Sequence, residues 1–538
     1  MSGTNDDTLP RLLARNARSM PERVAMREKR SGIWQAESWA AHCAATIAFA
    51  RGLAALGFQR GDRLAVLGDN RRALYRAQLA AMALGGAVVP CWPDVDTEWL
   101  AHVLADSGVS IVVAEDQDQV EKLLNIKDRL PMLREIVFTD PRGVHHDNLA
   151  FIHSVTATVA AGEKGGVDVA ATIAAGRPDD VCLIFYLTPD TGPARAAVLT
   201  HAQMIEAAIV LSKAEDTRPT DEYFSYLPMA WVAEALYGTV LSLLVGFACS
   251  CPEDPETARR DLRELGPTIL LAPPRIWNSL LGEIESKAAH STPLKRRICT
   301  AFLPEAYGAG APASTSFLGN FLVAAPLRDQ LGLGRVRWAH SGGLALRPHV
   351  QDFFEALGVH LRRGVVLSDH AGLSALATDI GAPLRLADGS EIDAVQVESV
   401  LCRNPYIADA VVIGDGTVNL AALIALDTTA VGDWAQARSL TFTSAAELTA
   451  LPEIRTLLGE VIAQANACLP ANQRITRYRL LQTAPTSVNA EASLSRILQR
   501  RLAQENQAAQ ARDLFADPPP DEVNTLPNVT ATIREQVA

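Results

Sequence analysis

The stretch GDRLAVLGDNRRALYRAQLAAMALGGAVVPCWPDVDTEWLAHVLADSGVSIVVA, residues 61–114, decides the fold. Arg63 to Leu67 is a short apolar run ending at Gly68, so it reads as a buried strand. From about Arg71 to Leu84 the pattern is helical, and residues 86–90 read as a second buried strand. A helix near residues 99–106 leads into residues 109–114, a third apolar run. Repeated strand–helix–strand units of this kind predict an α/β fold whose parallel sheet is covered on both faces.

The same alternation extends outward. Residues 11–16 and 40–56 read as helices. Residues 181–186, 268–272 and 335–340 read as strands, and 350–357 as a helix. Residues 235–251 (ALYGTVLSLLVGFACSC) are the most apolar run. That run is short for a membrane span and carries Gly238 and Gly246, so a buried helix leading into a strand is expected. A smaller unit begins near Asp393, with helices at 395–401 and 453–469, strands at 410–413 and 421–426, and an Arg-rich helix at 493–507. The expected organisation is a large multi-layer N-terminal domain (1–390), a small, truncated α+β C-terminal domain (393–516) and a proline-rich disordered tail (517–538).

The chain has 538 residues, enough for two or more domains, and a formal net charge of −12. That acidic balance argues against a nucleic-acid surface, which needs basic stripes along the phosphate backbone. The eight cysteines are scattered without a CxxC pair, which predicts buried free thiols rather than a zinc site. MSGTNDDTLP at the N-terminus has no basic-then-apolar signal pattern, so a cytoplasmic protein without a transmembrane segment is expected.

After the strand at 181–186 comes LTPDTGPARAAVLTH, residues 187–201. A strand, a Thr/Gly-rich loop, a basic residue and then a helix is a layout that holds phosphates by backbone N–H groups. A plain turn between strand and helix is the alternative. The wider chain then resembles the adenylate-forming superfamily, most of all bacterial long-chain fatty acyl-CoA ligases. The resemblance rests on GDRLAVLGDN (61–70), YLPMAWVAE (226–234), PPRIW (273–277), SGG (341–343), and NPYI (404–407) with VVIGDG (411–416). It implies ATP, Mg²⁺, a fatty acid and CoA as ligands, with an acyl-adenylate formed first and AMP then displaced by CoA.

The resemblance also exposes what this chain lacks. Against the family's YTSGTTGxPKGVxLTH, residues Tyr186, Thr191, Gly192, Leu199, Thr200 and His201 match. Pro189 and Asp190 replace a glycine and a threonine, Arg195 replaces the lysine, and Ala196 a further glycine. Pro189 has no N–H to offer and fixes its own φ. Asp190 would repel a phosphate charge by about 4 kcal/mol at roughly 4 Å with an effective dielectric near 20. The resemblance makes Thr191, Gly192, Arg195, Gly342, Gly343 and Ser368 vestigial nucleotide-binding positions. Asp369, standing for the family's metal-binding glutamate, is either a shortened Mg²⁺ ligand or a solvated turn acid.

Two further losses bear on catalysis. The family's adenylation lysine falls in EASLSRIL (491–498), where Ile497 stands, and Lys295 is the last lysine of the chain. No aspartate of the family's TGD motif occurs between Gly372 and Asn404, and the hinge segment there is missing. On the acyl side, Trp231 replaces the histidine that normally ends the motif at residues 227–231. Either it walls the acyl site, with Val232, or it is an ordinary core aromatic. The expectation is therefore a pseudoenzyme with no catalytic residue, binding a fatty acid, acyl-CoA or a protein partner. An active ligase using rearranged residues is the alternative.

Overall fold

The computed structural model describes residues 6–144, 149–187, 195–289, 319–342, 346, 348–363, 384–387, 389–392, 394–402, 404, 406–414, 419–436, 438, 440, 442, 447–448, 451–480 and 524–525. The chain divides into two compact units. The first is residues 1–187, 193–343 and 348–377; the second is 188–192, 344–347 and 378–538.

The first unit carries strands β1 (Val24–Arg30), β2 (Ile33–Ser38), β3 (Arg63–Leu67), β4 (Ala87–Cys91), β5 (Ile111–Ala114), β6 (Glu135–Phe138) and β7 (Ile152–Ser154). It continues with β8 (Val181–Leu187), β9 (Arg195–Thr200), β10 (Glu222–Phe224), β11 (Ala248–Cys251), β12 (Ile269–Ala272), β13 (Trp338–Ser341) and β14 (Leu361–Arg363). These form two seven-stranded sheets, β7-β6-β5-β3-β4-β8-β9 and β14-β13-β12-β10-β11-β1-β2. Each is parallel throughout except for one antiparallel edge strand, β9 or β2. All four residues of β5 are buried, as a strand covered on both faces requires.

The helices of the first half are α1 (Leu9–Ser19), α2 (Trp39–Ala55), α3 (Arg72–Ala83), α4 (Thr97–Ser107), α5 (Gln117–Ile126), α6 (Val155–Glu163), α7 (Val169–Ala175), α8 (His201–Glu215) and the single turn α9 (Val232–Glu234). Local chemistry fixes their ends. Asp96 caps α4 by accepting from Trp99 N at 2.7 Å, and Gly108 closes that helix with φ +63°. Helices α2 and α6 cross at Gly52 and Gly162, where neither backbone leaves room for a Cβ.

Two expectations for this unit change. The strand expected at 335–340 is Trp338–Ser341 instead. Val336 N closes a turn on Leu333 O, while the Arg335 and Arg337 guanidiniums reach Gly266 O and Asp221, so the pairing with β12 starts three residues later. The phosphate-type layout is also altered. Arg195 does not lead into a helix: it opens β9, which pairs antiparallel with β8 in a register that sets Leu187 opposite Arg195. Residues 198–199 alternate, with Val198 52% exposed and Leu199 buried, a strand pattern.

The second unit holds the hairpin β15 (Leu384–Arg385) and β16 (Glu391–Ile392). It also holds β17 (Ile407–Ile413), β18 (Leu420–Leu426), β19 (Ile475–Leu480) and β20 (Asn524–Thr525), in that sheet order. Helices Ala394–Leu401 and Pro452–Ala467 contribute Val397, Leu401, Ile454, Leu458 and Ile462 to its core, with Val412, Ala422 and Ile424 of the strands. Asn524 and Thr525, within the stretch expected as a disordered tail, pair with Tyr478 and Arg477. The backbone of β19 would otherwise end the sheet with an unpaired edge. The Arg-rich helix expected at 493–507 lies outside the described residues. Of the seven described cysteines six are buried and none forms a disulfide; Cys468, at the C-cap of helix Pro452–Ala467, is exposed, contrary to expectation.

Candidate functional site

Parallel α/β sheets present ligands at the carboxyl ends of their strands. In the second sheet those ends are the segment after β10, Pro273 after β12 and Gly342 after β13. From Ser225 the chain runs through Tyr226-Leu-Pro-Met-Ala to Trp231. Pro228 forces a turn there, closed by Trp231 N donating to Pro228 O at 2.9 Å. The Tyr226 hydroxyl donates to Leu271 O of β12 at 3.1 Å, so the segment lies across the strand ends.

Trp231 and Gly342, separated by more than a hundred residues, meet here. A Cβ on Gly342 would stand 2.7 Å from Trp231 Cζ2 and closer still to Cη2, so only glycine fits beneath the half-buried indole. Gly342 is itself fixed, its N–H donating to Ala272 O at 3.1 Å. Val232 opens α9 and is buried. The structure thus brings together one residue expected on the acyl side and one expected on the nucleotide side.

Immediately behind Trp231 lies a buried carboxylate that the sequence reading quoted but gave no role. Glu234 is fully buried. Its Oε1 accepts from Ser225 Oγ (2.7 Å), Tyr75 OH (3.0 Å) and Asn70 Nδ2 (3.3 Å), and its Oε2 from Tyr223 OH (2.6 Å). Burial pushes Glu234 up to about 7, opposed by those hydrogen bonds. Glu234 precedes a π-helix, Ala235–Leu241, of the wide-turn kind often found at functional sites. Within it a Cβ on Gly238 would sit 2.7 Å from Tyr75 OH and 2.8 Å from Glu234 Oε1. The signal for Glu234 was available: a lone acid leading into an unbroken apolar run must be buried and partnered.

Residues of the phosphate-loop motif that are described serve the fold. Thr200 caps α8, its Oγ1 accepting from Gln203 N at 3.3 Å while the Gln203 side chain accepts from Thr200 N at 2.9 Å, a capping box. His201 accepts from Leu9 N at 3.3 Å through Nδ1, and burial pushes it down to about 4, so the ring stays neutral. Tyr186 donates to Asp106 of α4 at 2.6 Å. Arg195 is placed by its backbone at the start of β9. Thr191, Gly192, Gly343, Ser368 and Asp369 lie outside the described residues, as do Asp190 and Ile497. Among the described residues no group of three His, Cys, Asp or Glu side chains could hold a metal ion, and no helix is long and apolar enough to cross a membrane.

Comparison with known proteins places this architecture. The chain shares its fold with the A domain of a carboxylic acid reductase from Segniliparus rugosus, solved in complex with AMP and a co-purified carboxylic acid. The TM-score is 0.71 at 15% identity, covering 95% of each chain. The adenylation domain of a carboxylate reductase from Mycobacterium chelonae aligns at TM-score 0.68 and 16% identity, covering 94% of this chain and 91% of that one. The sequence profile of AMP-binding enzymes matches residues 13–367, and that of the AMP-binding enzyme C-terminal domain matches residues 383–517. The chain belongs to the AMP-binding enzyme family. Its relatives include the human long-chain-fatty-acid–CoA ligase ACSBG1, 24% identical over 366 residues, 65% of this chain and 50% of that protein. Another is the putative fatty-acid–CoA ligase fadD11 of Mycobacterium tuberculosis (strain ATCC 25618 / H37Rv), 24% identical over 449 residues, 68% of this chain and 78% of that protein. The chain thus spans about half the length of the human relative it matches.

Proposed function

We propose that this chain is a catalytically impaired member of its family that binds an acyl ligand, a fatty acid or acyl-CoA, beside Trp231 and Val232. The observation that carries this reading is the Trp231 indole lying on Gly342. An ATP ribose or phosphate approaching that glycine would need the space the indole fills, so the residues present do not fit the nucleotide at this turn. The half-buried indole offers the aromatic surface for a hydrocarbon chain instead. The sequence supports the same reading, since no lysine follows Lys295 to neutralise charge developing on an acyl phosphate. A carboxylic acid co-purified with the Segniliparus domain of the same fold, which is consistent with this reading.

The test has two arms. Fatty-acid-dependent ATP–pyrophosphate exchange across a panel of chain lengths is expected to be absent; measurable exchange would establish the ligase reading in its place. Native mass spectrometry of the purified chain, followed by titration with fatty acid, is expected to show saturable acyl binding that weakens in Trp231→Ala. Unchanged affinity in that variant removes Trp231 from the acyl site.

A further inference from the structure

Each partner in the Trp231–Gly342 contact is closely followed or preceded by a buried carboxylate arrangement. Glu234 lies three residues after Trp231, one turn along α9. Its hydrogen bonds tie both ends of the segment that carries the indole, because Ser225 precedes that segment and Glu234 follows it. Asn70 reinforces the tie, its Nδ2 donating to Leu227 O at 2.8 Å and to Ser225 Oγ at 2.7 Å. On the other side His340 lies two residues before Gly342. Its Nε2 is 2.7 Å from Glu215 Oε1, at the end of α8, and that oxygen also accepts from Tyr237 OH at 2.7 Å. His340, Glu215 and Tyr237 are all buried.

The two arrangements meet at their tyrosines. Tyr223, which donates to Glu234, stacks on Tyr237, which donates to Glu215, with centroids 5.6 Å apart and planes 21° from parallel. The π-helix holds Tyr237 in register with both. The backbone of the glycine turn is pinned as well, since Trp277 Nε1 donates to His340 O at 3.3 Å and to Ala272 O at 3.2 Å. A fold that needed only stability at this position would do as well with apolar side chains, because buried ionisable groups gain little over a packed hydrophobic core. What they supply is a defined geometry, since the hydroxyl and amide donors around Glu234 converge on its two oxygens and the His340 ring is held close to Glu215.

We propose that Glu234 and His340 are positioning residues that hold the Trp231 indole on Gly342 from its two sides. The proposal rests on the acyl-site reading for its functional meaning, but its geometry can be tested without any ligand. The emission of Trp231 is isolated as the difference between the full chain and its Trp231→Phe variant, then re-measured in the Glu234→Ala and His340→Ala backgrounds. The expected result is a red shift of the Trp231 difference spectrum in both, as the indole leaves its glycine for water. Gly342→Ala serves as the reference for a displaced ring. Glu234→Gln, which keeps an acceptor of the same shape, is expected to restore the parent spectrum.

A difference spectrum unmoved in folded Glu234→Ala and His340→Ala proteins overturns the proposal. So does a shift that Glu234→Gln fails to reverse, because that marks a general loss of packing. Should Glu234→Ala not fold, Tyr223→Phe removes one donor while keeping the ring stack, and must shift the spectrum in the same direction; an unmoved spectrum there overturns the proposal equally. Fatty-acid titration of the same proteins separates the two readings. A spectrum that shifts without any change in acyl affinity sustains the latch and sinks the acyl site, whereas loss of affinity without a shift does the reverse.

Discussion

The two seven-stranded sheets of the first unit are built alike, with six parallel strands and one antiparallel edge strand delivered by a hairpin. Their hairpins differ sharply. Strands β1 and β2 are joined by Ser31 and Gly32 alone, both with positive φ (48° and 75°), the two-residue turn whose twist matches that of the flanking strands. Strands β8 and β9 are joined by seven residues, 188–194, where two would close the same edge. Connections longer than the fold requires are where binding residues collect. The strand ends repeat the contrast. Each sheet carries one carboxylic acid pushed up to about 7, Glu234 behind β10 and Asp69 behind β3. Burial leads in both. Glu234 then has neutral hydroxyl and amide donors around it, whereas Asp69 faces the charge of Glu115, with Arg71 opposing. One acid is sealed inside a hydrogen-bonded cage; the other sits in a field of charges.

The sharpest way to break the cage is Gly238→Val. Its side chain would enter the space of Tyr75 OH and Glu234 Oε1. Overpacking combined with a broken buried network is expected to cost about 4 kcal/mol in urea unfolding. Gly32→Val at the short hairpin meets open space and so carries only the strain of a β-branched residue at φ +75°, without overpacking or a broken network; it should cost less, and equal losses would refute the contrast between the two sheets.

The two acids differ next in their response to pH and salt. The folded chain holds the Glu234 proton to about pH 7, while its ordinary value is 4.5. Its contribution is therefore fully present below about pH 4.5 and is lost as pH rises to 7. A shift of that size corresponds to about 3 kcal/mol. The stability difference between the parent and Glu234→Gln should accordingly fall with rising pH across this window. Asp69→Asn should reveal the same sign between its ordinary 3.8 and about 7. Only the Asp69 effect should shrink in high salt, because part of its shift comes from charge repulsion that salt screens. Matching salt dependence for both acids would remove the distinction.

How much of this was legible beforehand follows from what each residue answers to. The strands of the first sheet could be read because residues 64–67 and 111–114 are buried on both faces, and continuous apolar runs announce that. Strand β9 was misread because Arg195 and the glycine before it resembled the start of an anion-binding helix, and the alternation at 196–199 was the weaker signal. Trp231 was legible as a departure from its motif, but its contact with Gly342 was not, since nothing in either local sequence specifies a partner more than a hundred residues away. Thr200 and His201 matched the family motif, yet both are held by capping and by Leu9. A motif match records that a residue is needed, and here the need is structural.

The smallest effect tests the hairpins themselves. Gly32→Ala places a Cβ at φ +75° with open space around it, so the cost is conformational alone, about 1 kcal/mol. Thr191→Ala in the seven-residue connection is expected to change stability by less than about 0.5 kcal/mol. Differential scanning calorimetry of the two variants beside the parent is the measurement. A Thr191→Ala loss as large as that of Gly32→Ala would mean that the long connection, like the short one, exists to hold the edge strand. A loss confined to Gly32→Ala leaves residues 188–194 without a structural reason for their length, and a ligand is then the remaining reason for it.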